Sequence, residues 1–475
     1  MRSHLCGHEA HRGLRRQARA LTGGAAVLAL LVGACGNASS KGTAPKAAPS
    51  TAGPPTSGGA PTSASAPASA APTTAPGPVV PGDTDGITPT QVSVGALVTA
   101  TGPIGGAYAQ IVQGVKAYFD LVNTKGGING RHLVVSNVID DQTNPSRNSS
   151  QARALVEDDH VFAVFASSPL FPAGTYLAQK GIPTFGTNFN AEWHSGPSLF
   201  GHNGSFNNVT MPGPYLSFLA KKTGATAAAL VAYTVAQSAD CATGQAGAFK
   251  RFGISVPVLD NSLPFGASNA TGDIQKMKDN HVGFVATCMD PTGNVLIARE
   301  LQKAGLANVK MYWPNGYSPE TLKSYASSME GVYFGVPEVP LEDRAKSPEM
   351  DLFFTQMAKV SPTQQVGEYA LYGWVVADLF AKGLTMAGPS PTRSSVVSNL
   401  NTLTHWTANG LIPGVDWTKQ HTGISHTNLD CTATVQVQHG RFVPVFDSPD
   451  SPFVCFAPDS TTTDTVPGQK YTDVG

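Results

Sequence analysis

Basic residues, catalytic motifs and long apolar runs are all scarce in this sequence. Charged side chains make up 13% of the 475 residues, and the formal net charge is −1. The chain therefore has no basic surplus with which to bind nucleic acid or anionic lipid. It also lacks the G-x-S-x-G, H-E-x-x-H, S-x-x-K, C-x-x-C and Walker motifs of common hydrolases, redox proteins and nucleotide-binding proteins. We expect no enzymatic activity, no cofactor and no nucleic-acid partner.

Two groups of residues could suggest a bound cofactor, but their spacing does not fit one. The glycines of TGPIGGA, residues 101–107, precede a predicted helix without the G-x-G-x-x-G spacing of a dinucleotide site. Four histidines gather towards the C-terminal end at spacings that match no common zinc pattern. They are His405, His421, His426 and His439. We expect these histidines to be surface or packed side chains, and we expect no metal.

The N-terminal region has the basic, apolar and small-residue segments of an export signal, in that order. Five arginines between positions 2 and 19 precede an apolar stretch from about Leu21 to Val32. That stretch is too short for a transmembrane helix, which needs roughly 20 apolar residues. Two small residues before Cys35 resemble the lipobox of bacterial lipoproteins, in which the cysteine carries lipid and becomes the mature first residue. We predict a signal peptide over residues 1–34 and a lipid anchor at Cys35 on the outer face of the cell membrane. The alternative is a plain secretory signal with an incidental cysteine.

Residues 35–85 contain little that could be buried. They are almost entirely Ala, Pro, Ser, Thr and Gly, without an aromatic residue, and such a composition cannot form a core. We predict a disordered tether that spans on the order of 40 Å as a flexible coil. Loss of the signal peptide would remove five arginines and one glutamate, which brings the net charge from −1 to −5.

From residue 86 onward, apolar runs of strand length alternate with segments of helix length. This βαβα rhythm predicts a parallel sheet, whose helix-covered faces allow apolar runs without strict alternation. The remaining roughly 390 residues exceed one comfortable core, so two lobes are expected. The predicted strands are 92–98, 132–138, 161–167 and 182–187, followed by 227–235, 255–260, 282–288 and 309–313.

The stretch GGINGR, residues 126–131, joins a predicted helix to the strand 132–138. Gly126 or Gly127 can supply the left-handed residue that ends the helix, and the Asn-Gly pair can form the turn into the strand. By itself this pattern is structural rather than functional.

The longer segment YFDLVNTKGGINGR resembles the type I periplasmic binding proteins of the branched-chain amino-acid branch. These are the leucine-binding-protein-like receptors of ABC transporters. Further segments in the same order share the resemblance: TGPIGGAYAQIVQGVKAYFD, ARALVEDDHVFAVFASS, KGIPTFGT and EYALYGWVVADLFAKGLTMAG.

The resemblance implies an α/β fold of two Rossmann-like lobes with a ligand cleft between them. Three crossovers would join the lobes, near Gly201 to Asn208, near Val332 to Val336, and between Pro413 and Asn428. The expected division is lobe 1 over 86–207 and 334–420, and lobe 2 over 208–333 and 421–475.

The resemblance also implies a function. The chain would be a monomeric, extracytoplasmic solute-binding lipoprotein that delivers an amino acid, an amide or a similar polar ligand to ABC permease and ATPase subunits. A ligand-sensing receptor of the same fold is the alternative, and a neighbouring sensor kinase gene would favour it. A hydrolase on a doubly wound scaffold is remote, because the nucleophile motifs are missing.

Candidate ligand-binding residues of the first lobe lie where predicted strands end. In parallel sheets, the strand ends and the following helix N-termini face one crevice. Ser167 and Ser168 follow a predicted strand, and each could either bind a ligand oxygen or cap a helix. By resemblance, Ser167 binds a carboxylate, Asn188 and Asn190 hold the polar end, and Tyr108 covers the ligand side chain. Asn190 replaces a threonine of the family, and its amide can both donate and accept.

The second lobe departs further from the family, whose amino-acid receptors hold the ligand ammonium group with a tyrosine and an acid. The loop TVAQSADCATG has no tyrosine before Gly244. Asp290 in CMDPTGN could be the acid, or it could cap a helix that begins near Pro291. Asn315 and Tyr317 in WPNGYSPE could add hydrogen bonds and a ring contact, with turn formation as the competing explanation.

Four cysteines remain beyond Cys35, and an even number in an exported protein suggests two disulfides. Three pairings are possible. We expect Cys241 to pair with Cys288, since Cys288 ends a predicted strand and Cys241 follows another strand of the same lobe. We expect Cys431 to pair with Cys455, since they flank TATVQVQHGRFVPVF, whose HG predicts a hairpin.

Replacement of the predicted lipid-bearing residue tests the anchor. Cys35→Ala should release the protein from membranes or leave its signal peptide uncleaved, as measured by fractionation and mass spectrometry of the N-terminus. A Cys35→Ala protein that is still processed, acylated and bound to membranes would contradict the anchor.

Overall fold

The computed structural model describes residues 82–103, 106–205, 212–421 and 430–473. The predicted signal peptide, Cys35, most of the tether and His426 lie outside the described residues. No helix in the part of the chain that the structure describes is both long enough and apolar enough to cross a membrane.

The described elements alternate between strands and helices over most of the chain. The strands are β1 (Gln91–Val98), β2 (His132–Asp140), β3 (Ala163–Ser167), β4 (Thr184–Gly186), β5 (Leu199–Gly201), β6 (Ala227–Tyr233), β7 (Ser255–Leu263), β8 (Phe284–Cys288), β9 (Lys310–Trp313), β10 (Tyr333–Val336), β11 (Asp430–Gln438), β12 (Arg441–Val445) and β13 (Phe453–Phe456). The helices are α1 (Ile111–Thr124), α2 (Pro145–Glu157), α3 (Ala173–Gln179), α4 (Tyr215–Lys222), α5 (Ala236–Arg251), α6 (Thr271–Asp279), α7 (Pro291–Lys303), α8 (Pro319–Met329), α9 (Pro348–Val360), α10 (Glu368–Ala387) and α11 (Arg393–Leu400). Short 3-10 turns occupy Ala107–Gln110, Ala191–His194 and Leu341–Asp343.

The first lobe is built on a parallel sheet in the order β2-β1-β3-β4-β5. The four strands predicted for the first series are confirmed. Helices α1 to α3 belong to this lobe, and α9, α10 and α11 return to it late in the chain, where α10 packs along α1. The lobe therefore combines two segments that are far apart in the sequence.

The second lobe contains a sheet in the order β12-β11-β10-β9-β8-β6-β7. Strands β6 to β10 are parallel, whereas β11 runs antiparallel to β10, β12 and β13. The predicted strands of the second series are confirmed, and so is the hairpin at HG, where His439 and Gly440 connect β11 to β12 with positive φ. The strand β10 was not predicted.

The chain passes between the two sheets three times: after β5, after β10, and between α11 and β11. The second passage follows Val336, so the predicted boundary between residues 333 and 334 falls inside β10. That segment pairs with β9 on one side and β11 on the other, and sequence alone does not show the second partner because β11 lies about a hundred residues later. Residues 206–211 and 422–429 of the first and third passages are outside the described range.

The GGINGR stretch makes the predicted reversal from α1 to β2. The N–H of Gly126 donates to Asn123 O, and that of Gly127 donates to Val122 O, which satisfies the last carbonyls of the helix. Both glycines have positive φ, and Ile128 bridges to Arg131 across the turn. The stretch directs the chain into β2 and does not reach the cleft described below.

Residues at the end of the predicted tether already belong to the first lobe. The carboxylate of Asp83 accepts from the N–H and hydroxyl of Ser394, both at 2.9 Å, and Asp83 O accepts from the Arg393 N–H. An acid at a helix N-terminus is stabilised by unpaired N–H groups and the helix dipole. The folded region thus begins before the predicted boundary at residue 86, because this acid binds α11.

Two glycines allow α1 and α10 to lie close together. A Cβ on Gly114 would come within 1.8 Å of Ala370 O, and one on Gly373 within 2.0 Å of Ile111 O. The close contact fixes the N-terminal turn of α10 beside the start of α1. It thereby places Tyr369 next to Tyr108 at the edge of the first sheet.

Both expected disulfides are confirmed. Cys241 on α5 is bonded to Cys288 at the end of β8, and Cys431 on β11 is bonded to Cys455 directly opposite on β13. The second bond therefore joins β11 to β13, while β12 pairs with the other half of β11.

Removal of each disulfide should destabilise the protein by a measurable amount. Cys431→Ser with Cys455→Ser, or Cys241→Ser with Cys288→Ser, should lower the free energy of unfolding by about 2–4 kcal/mol, because each bond closes a loop of 24 or 47 residues in the unfolded chain. Urea unfolding followed by circular dichroism measures the change, and the wild-type protein under reductant is the control. Unchanged unfolding midpoints in both double variants would contradict this expectation.

Candidate functional site

The two lobes contact each other through residues that follow the carboxyl ends of their strands. Pro169, just after β3, accepts at its carbonyl from Asn190 Nδ2 of its own lobe and from Gln237 Nε2 of the second lobe, both at 2.9 Å. On the other side, the N–H of Gly316, after β9, donates to Glu368 Oε1 at 3.1 Å. We call the region between these two contacts the cleft.

Ser167 and Thr187 lie side by side at the first-lobe edge of the cleft. Ala166 pairs with Gly186 across β3 and β4, so the next residue of each strand occupies neighbouring positions. Both side chains are buried, with exposures of 0% and 1%. Ser167 Oγ and Thr187 Oγ1 have no hydrogen-bond partner among the described residues. Two buried hydroxyls are therefore able to bind a ligand oxygen.

Ser168 differs from its neighbour because its hydroxyl is already bound. Ser168 Oγ donates to Asp141 Oδ2 at 2.6 Å. Asp141 also accepts from Thr99 Oγ1 at 2.6 Å and Asn148 Nδ2 at 2.8 Å. Of the two roles that the sequence left open, the structure shows the structural one for Ser168, through Asp141 rather than through a helix cap.

The two predicted asparagines also differ. Asn188 Nδ2 donates to Asn203 Oδ1 at 2.8 Å and to Gly204 O at 3.1 Å, so its side chain holds the first passage between the lobes. Asn190 is 3% exposed, and while its Nδ2 binds Pro169 O, its Oδ1 has no partner within the described residues. Asn190 therefore presents a buried acceptor at the cleft.

Tyr108 forms part of an aromatic cluster at the cleft. Its ring centroid lies 4.7 Å from that of Tyr369 and 6.2 Å from that of Phe189. Tyr372 extends the cluster, 5.4 Å from Tyr369. Burial raises the pKa of Tyr108 to about 12, so its hydroxyl stays protonated at physiological pH. Sequence reasoning identified Tyr108 but missed the other three rings, although two of them lie in the segment EYALYGW.

The predicted residues of the second lobe fall into two groups. Asp290 caps α7, where its carboxylate accepts from Thr292 N and Gly293 N, and it also accepts from Tyr233 Oη at 2.6 Å. Tyr317 is buried, and its hydroxyl bonds to Glu342 and accepts from Leu341 N. These side chains are engaged in structure, as the helix-cap alternative predicted for Asp290.

Asn315 belongs with the cleft instead. Asn315 Nδ2 donates to Met289 O at 3.2 Å, and its buried Oδ1 has no partner in the described part of the chain. The amide thus repeats, on the second lobe, the arrangement of Asn190 on the first.

Sequence reasoning missed three ionisable residues beside the cleft. Glu338 is fully buried and lies 2.6 Å from His202 Nδ1, which joins the second passage between the lobes to the first. The ring of Tyr372 stacks on His202 with centroids 3.9 Å apart. Glu368 accepts from Gly316 N and from Tyr372 Oη. The available signals were weak: His202 follows a strand end, and Glu368 begins a mostly apolar helix.

Two of the candidate histidines, His421 and His439, are engaged in other contacts. His421 is packed, with its ring nitrogens 2.7 Å from Asn401 Oδ1 and 2.8 Å from Leu199 O. His439 forms the β11–β12 turn. Within the described ranges, no group of three or more His, Cys, Asp or Glu residues could hold a metal ion.

Glu368 should make the stability of the protein depend on pH. Burial raises its pKa to about 8, whereas an unfolded glutamate titrates near 4.3. The native state therefore binds the extra proton between these values, and stability falls as the pH rises through them, by up to about 1.4 kcal/mol per pH unit. Glu368→Gln mimics the protonated acid and should flatten the melting-temperature profile between pH 5 and 8. The exposed Glu320→Gln is the control, and parallel profiles for wild type and Glu368→Gln would contradict the assignment.

Comparisons with known proteins show the family and the fold of this chain. A family model described as "Periplasmic binding protein" matches residues 91–441. The Leu/Ile/Val-binding protein BraC3 of Rhizobium johnstonii is 30% identical over 94 residues, and the Leu/Ile/Val-binding protein homolog 1 of Brucella abortus is 34% identical over 94 residues. Each alignment covers 19% of this chain and spans only a quarter of the relative's length.

Solved structures are similar in fold at low identity. LivJ of Streptococcus pneumoniae, in complex with isoleucine, has a TM-score of 0.62 at 15% identity, covering 77% of this chain and 100% of that one. A solute binding protein from R. palustris in complex with 4-hydroxybenzoate has a TM-score of 0.62 at 17% identity, with coverage of 78% and 98%. A fatty acid ABC transporter substrate-binding protein from Thermomonospora curvata has 0.63 at 16%, with coverage of 79% and 94%. The chain belongs to the periplasmic binding protein family and has its type I fold.

Proposed function

We propose that this chain is the extracytoplasmic solute-binding lipoprotein of an ABC importer and captures a small polar ligand between its lobes. Membership of the periplasmic binding protein family over residues 91–441 supports a solute-binding role. The relatives named above carry Leu/Ile/Val-binding descriptions, which supports uptake of a small organic solute. The permease and ATPase subunits would supply the energy, so binding and release are the whole task of this chain.

One observation carries the proposal: both sides of the cleft carry buried polar atoms that have no hydrogen-bond partner among the described residues. Ser167 Oγ, Thr187 Oγ1 and Asn190 Oδ1 come from the first lobe, and Asn315 Oδ1 comes from the second. A buried polar atom without a partner costs roughly 1–3 kcal/mol, so nearly all such atoms in proteins are satisfied. A ligand with hydrogen-bonding groups would satisfy these atoms from both lobes at once.

Closure of the lobes on the ligand follows from the connections between them. Three passages join the lobes in the part of the chain that the structure describes, and hydrogen bonds link these passages to each other: His202 to Glu338, Val339 N to Leu411 O, and Ser205 Oγ to Gln420 O. Such a bundle can act as a hinge, and a ligand favours the closed form by contacting both lobes. Cys35 and the tether would keep the binding lobes near the membrane permease.

Substitutions at the first-lobe edge test the site. A thermal-shift screen of amino acids, amides, short-chain acids and polyamines first identifies a ligand, because a ligand that binds only the folded state raises the melting temperature. Ser167→Ala and Asn190→Ala should each weaken that ligand about ten- to hundredfold by calorimetry, with little change in the unliganded melting temperature. Ser150→Ala, exposed on α2, is the matched control.

The same protein tests the closure. X-ray scattering should show a smaller radius of gyration with saturating ligand than without. Unaltered affinity in both Ser167→Ala and Asn190→Ala would place the site elsewhere, and identical scattering with and without ligand would remove the hinge movement from the proposal.

A further inference from the structure

The orientation of the Asn190 amide restricts what can bind beside it. A backbone carbonyl can only accept, so the 2.9 Å contact with Pro169 O requires Nδ2 on that side of the amide. Oδ1 therefore lies on the opposite side, where it has no hydrogen-bond partner among the described residues. Asn315 is fixed in the same way by Met289 O. Each lobe therefore offers an amide oxygen that needs an N–H or O–H donor from a ligand.

The hydroxyls of Ser167 and Thr187, at the strand ends, can donate hydrogen bonds to a ligand oxygen. Ser167 and Thr187 occupy neighbouring positions on adjacent strands, which lie about 4.8 Å apart in a sheet. Each hydroxyl can donate one hydrogen bond, and neither has an acceptor among the described residues. One ligand oxygen could accept from both. A ligand group that accepts from the two hydroxyls and donates to the two amide oxygens would satisfy all four atoms.

Charge narrows the choice among such groups. A ligand ammonium would need an ionised carboxylate, but Asp290 is bound by Tyr233 and the start of α7, and burial raises the pKa of Glu368 to about 8. Glu338 binds His202 through Oε1 and has no partner for Oε2 among the described residues, and burial raises the pKa of this carboxyl as well, which favours its neutral form. A ligand carboxylate would meet the amide oxygens of Asn190 and Asn315, which can only accept, and no Lys or Arg is among the cleft residues named above. An isolated charge in a closed cleft is costly, so a neutral group is favoured.

The aromatic cluster indicates the shape and polarity of the rest of the ligand. Phe189 directly precedes Asn190 in the chain, and its ring lies 6.2 Å from Tyr108, which in turn lies 4.7 Å from Tyr369. Rings at these spacings form a wall that a flat, apolar body can stack on or meet edge-on. This wall begins where the polar atoms of Asn190 end.

We infer that the ligand is a neutral primary carboxamide carried on a flat apolar ring. Its carbonyl oxygen accepts from Ser167 and Thr187, and its amide hydrogens donate to Asn190 Oδ1 and, from the second lobe, to Asn315 Oδ1. The ring lies against Tyr108 and Phe189. This inference rests on the proposed solute-binding function and specifies the chemistry of the same site.

A matched series of small compounds tests the functional group. Benzamide, benzoate, benzylamine and phenylalanine share one ring and differ mainly in charge. Benzamide should raise the melting temperature and bind at least tenfold more tightly by calorimetry than the other three. Tighter binding of benzoate or phenylalanine, or binding of an aliphatic amino acid when benzamide does not bind, would overturn the carboxamide inference and leave the solute-binding function standing. Failure of every compound in the wider screen would remove the proposed function as well.

A pair of isosteric ligands then tests the residue roles. Acetophenone keeps the ring and carbonyl of benzamide but replaces the NH₂ by a methyl group. Asn190→Ala should abolish the preference of the wild-type protein for benzamide over acetophenone, whereas Ser167→Ala should weaken both ligands about tenfold and keep that preference. Ser150→Ala should change neither. Equal loss of both ligands in Asn190→Ala would show a merely structural role for that residue and contradict the inference.

Discussion

In each lobe the parallel strands end at one edge of the sheet, and these two edges face each other. Every strand-to-helix loop therefore delivers its polar atoms and helix N-termini to the same region. Ser167 and Thr187 are adjacent there because β3 and β4 are adjacent in the sheet. The parallel direction of the strands is therefore enough to bring these loops together at the cleft.

The first lobe depends on a close contact between helices that are distant in sequence. Gly114 and Gly373 let α1 and α10 approach backbone to backbone, and this contact sets the height of α10 against the sheet. The N-terminal turn of α10 then reaches the cleft with Tyr369, Tyr372 and Glu368. A packing requirement in the core thus decides which aromatic rings and which acid border the site.

The buried pair of His202 and Glu338 connects this packing to the passages between the lobes. Removing both groups from water is costly, and loss of one partner would leave the other uncompensated. Because the pair joins two of the passages and Tyr372 stacks on His202, the passages that form the proposed hinge are in direct contact with the aromatic cluster. A change in the angle between the lobes would therefore shift the aromatic rings that border the cleft.

The sequence by itself determined the strands of both series and the reversal at GGINGR, since these depend on apolar periodicity and local turn chemistry. It also predicted both disulfides, whereas it left Asp290 open between a helix cap and a ligand contact. Only the tertiary structure decided that the Ser167 hydroxyl has no partner among the described residues while that of Ser168 is bound by Asp141. It also decided that Asn188 and Tyr317 direct their side chains into structural contacts. It also decided the pairing of His202 with Glu338, across 136 residues. Neighbours in sequence carry the same local pattern, whereas hydrogen-bond partners from distant segments exist only once the lobes have been assembled.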